Sequence, residues 1–224
     1  MVGWTSLLVI LLCKAVTLSL SCDWLRHYGH LSNASLTLVQ HMGGQLTDEE
    51  SPLPFPYKLY RRMKSEKVAS RLAFARDSLE LIAGLYRHDN RSSAAWDPAE
   101  TERFLMTIDR QAHGLQSCVS TQSRNDSRLR KYYRRLVKST LCLTGGSPAS
   151  WELIRRESKL HLDHLDQLMG SVMESVAASR RRRSAASRRR SSKASRRRSA
   201  ASRRRSAASR RRSAVTAKQL LFCH

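Results

Sequence analysis

The sequence predicts an all-α protein: a bundle of about five helices of the up-up-down-down type, followed by an arginine-rich tail expected to be disordered. Three observations carry this. Apolar residues recur at helical spacing in five stretches between residues 22 and 178, and no stretch shows convincing strand alternation. The segment Ser51-Pro-Leu-Pro-Phe-Pro56 separates the first stretch from the second. Residues 179–214 repeat the unit Ser-Arg-Arg-Arg-Ser-Ala-Ala with a period that settles at seven.

Residues 1–21 read as a secretory signal peptide. Leu7 to Leu12 form an apolar core, and Ser19-Leu20-Ser21 places small residues where a signal peptidase reads them. The match is imperfect, because the stretch before the core lacks Lys or Arg and Lys14 follows it. The apolar run is far short of the ~20 residues that span a bilayer. No other segment could span, so the expected location is extracellular and the mature chain is expected to begin at Cys22. Cys13 would leave with the signal. Cys22, Cys118, Cys142 and Cys223 remain, with three possible full pairings in a disulfide-permissive compartment. The same compartment suits the glycosylation sequons at Asn33, Asn90 and Asn125, of which the latter two fall in expected loops.

The helices follow in order. Trp24, Tyr28, Leu31, Leu38 and Met42 trace the first stripe, ended by Gly43-Gly44. Prolines 52, 54 and 56 rule out a helix there and make the connection a rigid crossover. Val68, Leu72, Ala75, Leu79, Ile82 and Tyr86 trace the second. After a polar loop at 87–95, Asp97-Pro98-Ala99-Glu100 offers an N-cap acid, proline at N1 and a glutamate able to reach back. Phe104, Ile108, Ala112, Leu115 and Val119 form the stripe that follows. Leu129, Tyr132, Leu136, Thr140 and Leu143 give the fourth, and Gly145-Gly146 stops it. Ser147-Pro148 repeats the cap-then-proline start before Trp151, Ile154, Leu162, Leu165, Met169 and Val172. A long first connection lets neighbouring helices run parallel, as in helical cytokine bundles.

Net charge is +23, but residues 175–224 hold 16 arginines, Lys193 and Lys218 and no acid, so the first 174 residues carry only +5. The extreme charge belongs to the tail and does not argue for a basic folded domain. His27/His30 and His161/His164 have the i,i+3 spacing of paired metal ligands, yet no third ligand is evident, and a solvated histidine face is the reading taken. No phosphate-binding glycine loop, nucleophile elbow or paired-carboxylate pattern is present, so no cofactor and no enzymatic activity are expected.

Three segments together resemble the type I interferons, most closely those of bony fish: Cys22-Asp-Trp-Leu25, Leu115-Gln-Ser-Cys-Val119, and Ser147-Pro-Ala-Ser-Trp151-Glu152-Leu-Ile-Arg155-Arg-Glu157. The resemblance covers residues 22 to about 173. It implies a secreted antiviral cytokine that binds a two-chain class II cytokine receptor, whose Janus kinases phosphorylate STAT factors. It also implies a Cys22–Cys118 disulfide, tying the mature N-terminus to the end of the third helix. Mammalian relatives place a cysteine where this chain has Ala149, so the second family bridge cannot form, and the pattern is that of the two-cysteine fish group. Cys142 and Cys223 have no family role. Cys142 is either a free buried thiol near a helix end or a partner for Cys223.

In the family, one receptor chain docks on the first long loop and the last helix. This makes Arg155 the first contact candidate, with Lys159 one turn along the same face. The competing reading of Arg155 is a solvated helix arginine paired with Glu152 or Glu157. Phe55 and Tyr57 are the loop candidates. Their competing reading is packing against the bundle, which is favoured for Phe55; Trp151 reads as core.

The chain divides into the signal at 1–21, the bundle at 22–178, the repeat tail at 179–214 and a short end at 215–224. Arginine and alanine favour helix, but adjacent charge repulsion is expected to keep the tail disordered alone. Such a tail attracts heparan sulfate or other polyanions, with no obligate nucleic-acid partner. The alternative is a cationic antimicrobial or nucleic-acid-binding effector acting through the tail, with the bundle as carrier; a third reading is an expansion with little function. Arg180, Arg181, Arg182 and Arg183 match the Arg-x-Arg-Arg pattern of proprotein convertases, whereas later units have serine at the distal position.

Overall fold

A computed structural model describes residues 22–119 and 126–220, with side chains to residue 200 apart from those of 89, 90, 194 and 196–198. The expected signal peptide, Asn125 and Cys223 lie outside the described residues. Every regular element described is helical: α1 (Trp24–His41), α2 (Tyr57–Lys64), α3 (Val68–Leu85), a 3-10 turn (Asp89–Ser93), α4 (Pro98–Gln116), α5 (Ser127–Val137), a π-turn (Lys138–Cys142) and α6 (Pro148–Leu220).

The long connection is not wholly irregular. After Pro56 the chain enters α2, which buries Leu59, Tyr60 and Met63. α3 is buried on most of its circumference, adding Ala73, Phe74, Asp77, Ser78, Ala83 and Leu85 to the expected stripe. It packs on α4, which also packs on α1. The disulfide Cys22–Cys118 closes the second of these contacts at its end, across 96 residues of chain. Closing a loop of that length removes roughly 4–5 kcal/mol of unfolded-state entropy in the chain-entropy account.

The start signals act as the sequence proposed, with one difference. Asp97 accepts from the Glu100 amide at 2.8 Å. Glu100 does not reach back; it pairs with Arg103 at 2.8 Å, and the Asp97 amide donates instead to the Met42 carbonyl at 2.7 Å. A nearby backbone acceptor has displaced the capping glutamate. Asp126 caps α5 by accepting from the Arg128 and Leu129 amides.

The fourth stripe is shifted at its end. Leu143, expected inside, is 74% exposed, whereas Leu141 is 1% exposed. The Leu143 amide donates to the Lys138 carbonyl, five residues back, and this wider turn changes the rotation of every later side chain. Gly145 and Gly146 then take φ of 66° and 70°, the left-handed region that reverses the chain before α6.

The chain divides after Ser175. In the first unit, α6 is tied to α1, α2, α3 and α5 by hydrogen bonds. Tyr28 and Ser32 of α1 donate to Asp166 at 2.5 and 2.7 Å, and Tyr60 of α2 meets His161 at 2.7 Å. Arg71 of α3 donates to Ser171 at 3.1 Å, and Tyr132 of α5 to Glu157 at 2.8 Å. In the second unit the backbone stays helical to Leu220, as arginine and alanine propensities allow. No side chain described after Val176 is buried, so the described part of that helix has no packed core.

Candidate functional site

The first turns of α6 build the site. The Ser147 hydroxyl accepts from the Ser150 amide at 3.3 Å, and proline at 148 loses no needed donor. Trp151 is fully buried, its ring 5.7 Å from Trp96 and 6.4 Å from Tyr86. One turn later on the same face lies Arg155, whose side chain is 0% exposed. Its Nη2 donates to the Gly44 carbonyl at 2.6 Å and stands 2.9 Å from Glu152 Oε2. Glu152 Oε1 in turn accepts from Trp96 Nε1 at 2.5 Å. Gly43 permits this arrangement: a Cβ there would lie 2.5 Å from Arg155 Nη1 and 2.6 Å from Trp96 Cδ1.

The expectation that the Arg155 side chain touches a receptor is therefore corrected. It does pair with Glu152, but it is not solvated. It clamps the end of α1 and the entry to the long connection onto α6.

The second assembly is aromatic. Phe55, half-buried, lies 4.6 Å from His161, 4.9 Å from His164, 5.5 Å from Tyr60 and 4.8 Å from Tyr57, ring to ring. Tyr57 meets His164 edge-on at 5.4 Å, while remaining 52% exposed. The structure thus brings both loop candidates onto α6. Lys159 is not part of this cluster; it is half-buried and paired with Asp163 at 2.8 Å.

His161 overturns the solvated-histidine reading. It is fully buried between Tyr60, Tyr132 and Tyr133, and burial pushes its pKa down to about 3. Its Nε2 has no hydrogen-bond partner among the described residues. The imidazole is neutral, and its Nδ1 shares a hydrogen bond with the Tyr60 hydroxyl whose donor is set by the tautomer. Burial also raises the pKa of Glu157, which accepts from Tyr132. At half-buried His164 the shift is again downward, mainly through burial.

Of the remaining candidates, Asn33 is exposed on α1, with Ser35 of its sequon buried. Asn90 lies in the 3-10 turn. Arg180 to Arg183 are all exposed. Cys142 is exposed rather than buried and has no disulfide partner among the described residues. The sequence reading missed Trp96 and Tyr60 as site-building residues, while Glu152 was named there as a possible partner of Arg155. The spacing of Leu59, Tyr60 and Met63 was a signal that could have found α2.

Arg155→Ala should lower unfolding free energy by about 3 kcal/mol in urea titration, the magnitude typical of breaking a buried charge pair. Gly43→Ala should act in the same direction by displacing the guanidinium; unchanged stability in both would return Arg155 to the surface. A second expectation concerns pH. The unfolded chain binds a proton at residue 161 below about 6.5, whereas the folded chain does not until about 3. Stability should therefore fall as pH drops through this window. Residue 161 alone contributes a loss of about 2 kcal/mol between pH 6.5 and pH 5. Glu157, with its pKa raised, works in the opposite sense and is common to parent and variant. His161→Phe should show a flatter acid limb than the parent, and an identical limb would contradict the assignment.

Comparisons with known proteins agree with this architecture. The family described as Interferon alpha/beta domain matches residues 25–172. Interferon a3 of Oncorhynchus mykiss is 36% identical over 169 residues, covering 75% of this chain and 95% of the relative. Interferon alpha of Felis catus is 29% identical, covering 67% and 84%. The solved structure of Zebrafish interferon 1 superposes with a TM-score of 0.60 at 31% identity, covering 67% of this chain and 99% of that one. These are cytokines with an antiviral role, not enzymes. The chain therefore belongs to the interferon alpha/beta family and stands within it beside the type I interferons of bony fish.

Proposed function

We propose that the protein is secreted, binds a two-chain class II cytokine receptor and triggers Janus kinase–STAT signalling and antiviral gene induction. The observation that carries the reading is the seating of the first long connection on α6, which leaves Tyr57 exposed beside His164. In the family this pairing of loop and last helix faces one receptor chain. Tyr57 is an anchor with half its surface available, and the edge of Phe55 continues the patch. Lys159 adds a charge on α6, held in place by Asp163. Arg155 acts on this surface from beneath, by fixing the loop. Asn33, Asn90 and Asn125 are the glycan acceptors of the secreted form.

A reporter cell carrying the receptor tests this. Tyr57→Ala and Lys159→Ala should each lower potency several-fold while leaving the melting temperature unchanged, whereas Arg155→Ala should lower both. A chain ending at Ser179 should keep full activity. If that chain were inert while the tail peptide acted alone, the effector reading would replace the cytokine one.

The tail adds a second, salt-sensitive affinity for extracellular polyanions such as heparan sulfate. It is also a substrate. Arg180 to Arg183 are exposed, and no side chain described after Val176 is buried, so local opening into a protease cleft costs little. A convertase would hydrolyse the bond after Arg183. Intact-mass measurement of protein from convertase-competent secreting cells should reveal a species ending at or just before Arg183. A mass that always extends to His224 would exclude cleavage.

A further inference from the structure

The bundle carries its own concentration of positive charge, apart from the tail. Arg128, Arg130, Lys131, Arg134 and Arg135 of α5, with Lys138 of the π-turn, are all exposed. At ~100° per residue they fall within about 160° of the helix circumference. Leu129, Tyr132, Tyr133 and Leu136 occupy the opposite side and are buried. Six charges there exceed the +5 net charge of the first 174 residues, so the surface elsewhere is close to balanced. The cations are neighbours at i,i+3 and i,i+4 and repel one another, which works against the helix unless an anion joins them.

The adjacent acids are committed elsewhere. Asp126 caps α5 and binds Arg62 Nη2 at 2.6 Å. Glu157 is 2% exposed beneath Tyr132. Between α2 and α5 lies a hollow of about 230 Å³ walled by Pro56, Lys58, Leu59, Arg62 and Arg128. Three of its five walls are cationic and none is acidic. The hollow on the other side of the Arg62–Asp126 pair contains Glu66 and Asp77 as well, and so does not suit an anion.

We propose that α2 and α5 form a binding surface for a sulfated polysaccharide. One sulfo group sits in the hollow among Lys58, Arg62 and Arg128, and further groups lie along the α5 stripe, whose length is about 15 Å. The chemistry of the patch selects this partner. No exposed aromatic lies on the α5 stripe to stack a base, since Tyr132 and Tyr133 are buried, and the exposed Tyr57 of α2 packs its ring against His164. The apolar face of α5 is spent on the core, and the one leucine exposed beyond the π-turn, Leu143, does not make an apolar face that could enter lipid. What remains is recognition by spaced charge. The physiological partner rests on the extracellular reading above; the binding itself does not.

The test uses the chain ending at Ser179, which retains every buried side chain described, beside the full chain. On immobilised heparin the shorter chain should elute at higher salt than on a sulfopropyl exchanger. Arg128→Gln, Lys131→Gln and Arg135→Gln together should weaken heparin binding by about tenfold, in proportion to the number of cation–sulfo pairs removed. Arg87→Gln, Arg103→Gln and Arg110→Gln together remove the same charge elsewhere and should change it less than about twofold. Equal loss in the two triple variants would reduce the effect to net charge and overturn the proposal. So would equal competition by duplex DNA and heparin. Loss of reporter activity in the α5 variant with heparin binding intact would make the surface a protein contact and overturn it as well.

Discussion

The arrangement of the long connection depends on a guanidinium without water around it. Arg155 is held between the Gly44 carbonyl and Glu152, and its Nη1 packs where any side chain at residue 43 would have to stand. A buried charge is tolerated only when its partners are fixed, and here they come from three separate segments. The end of α1 supplies the carbonyl. Trp96 orients the carboxylate, while the amide of Asp97 holds Met42 from the other side. Loosening any one of them exposes the charge to the wrong surroundings. The entry to the connection is therefore set by the first two turns of α6.

The exit from that connection is set by different physics. Phe55, Tyr60, Tyr132 and Tyr133 surround His161 closely enough to keep it neutral, and the neutral imidazole shares a hydrogen bond with the Tyr60 hydroxyl. This anchors α2 on α6, and Tyr57 emerges at the rim. The surface proposed for the receptor is thus a thin layer over two buried polar centres, one charged and one kept uncharged. Its residues fall into two kinds, those that face outward and those that determine what faces outward.

Most of the fold was legible in the sequence, because helix starts and stripes are local. Asp97-Pro98, Ser147-Pro148 and the glycine pairs fix ends through groups a few residues apart, and no partner from elsewhere is needed to read them. What escaped was non-local. Nothing in the Glu100 neighbourhood reveals that Met42 will occupy the Asp97 amide. The shift of Leu143 outward follows from one widened turn, which apolar spacing cannot anticipate. Arg155 was visible as an important position, but its burial depended on Gly43, Gly44 and Trp96 meeting it from far along the chain. His161 reads as half of an exposed pair until Phe55 and Tyr60 are placed over it. The family resemblance pointed to a loop and a helix that the structure packs together, and at Arg155 to a side chain that the structure buries.

The positive charge of the molecule takes two physically different forms. In the bundle, the six cations of α5 and its π-turn are fixed at one set of spacings by a face that is committed to the core, so they can discriminate among anions by geometry. In the tail, the described arginines are exposed, and the attraction of such an array is set by number and by salt. A convertase cut after Arg183 would remove 12 of the 16 tail arginines and both tail lysines while leaving the bundle surface untouched. The two forms would then act at different ranges: the uncut chain held by charge density near the cell that made it, the cut chain free to move until a spaced polyanion or a receptor meets the bundle. Position along the tissue would be governed by a protease, and signalling competence by the clamp at Arg155, with neither depending on the other.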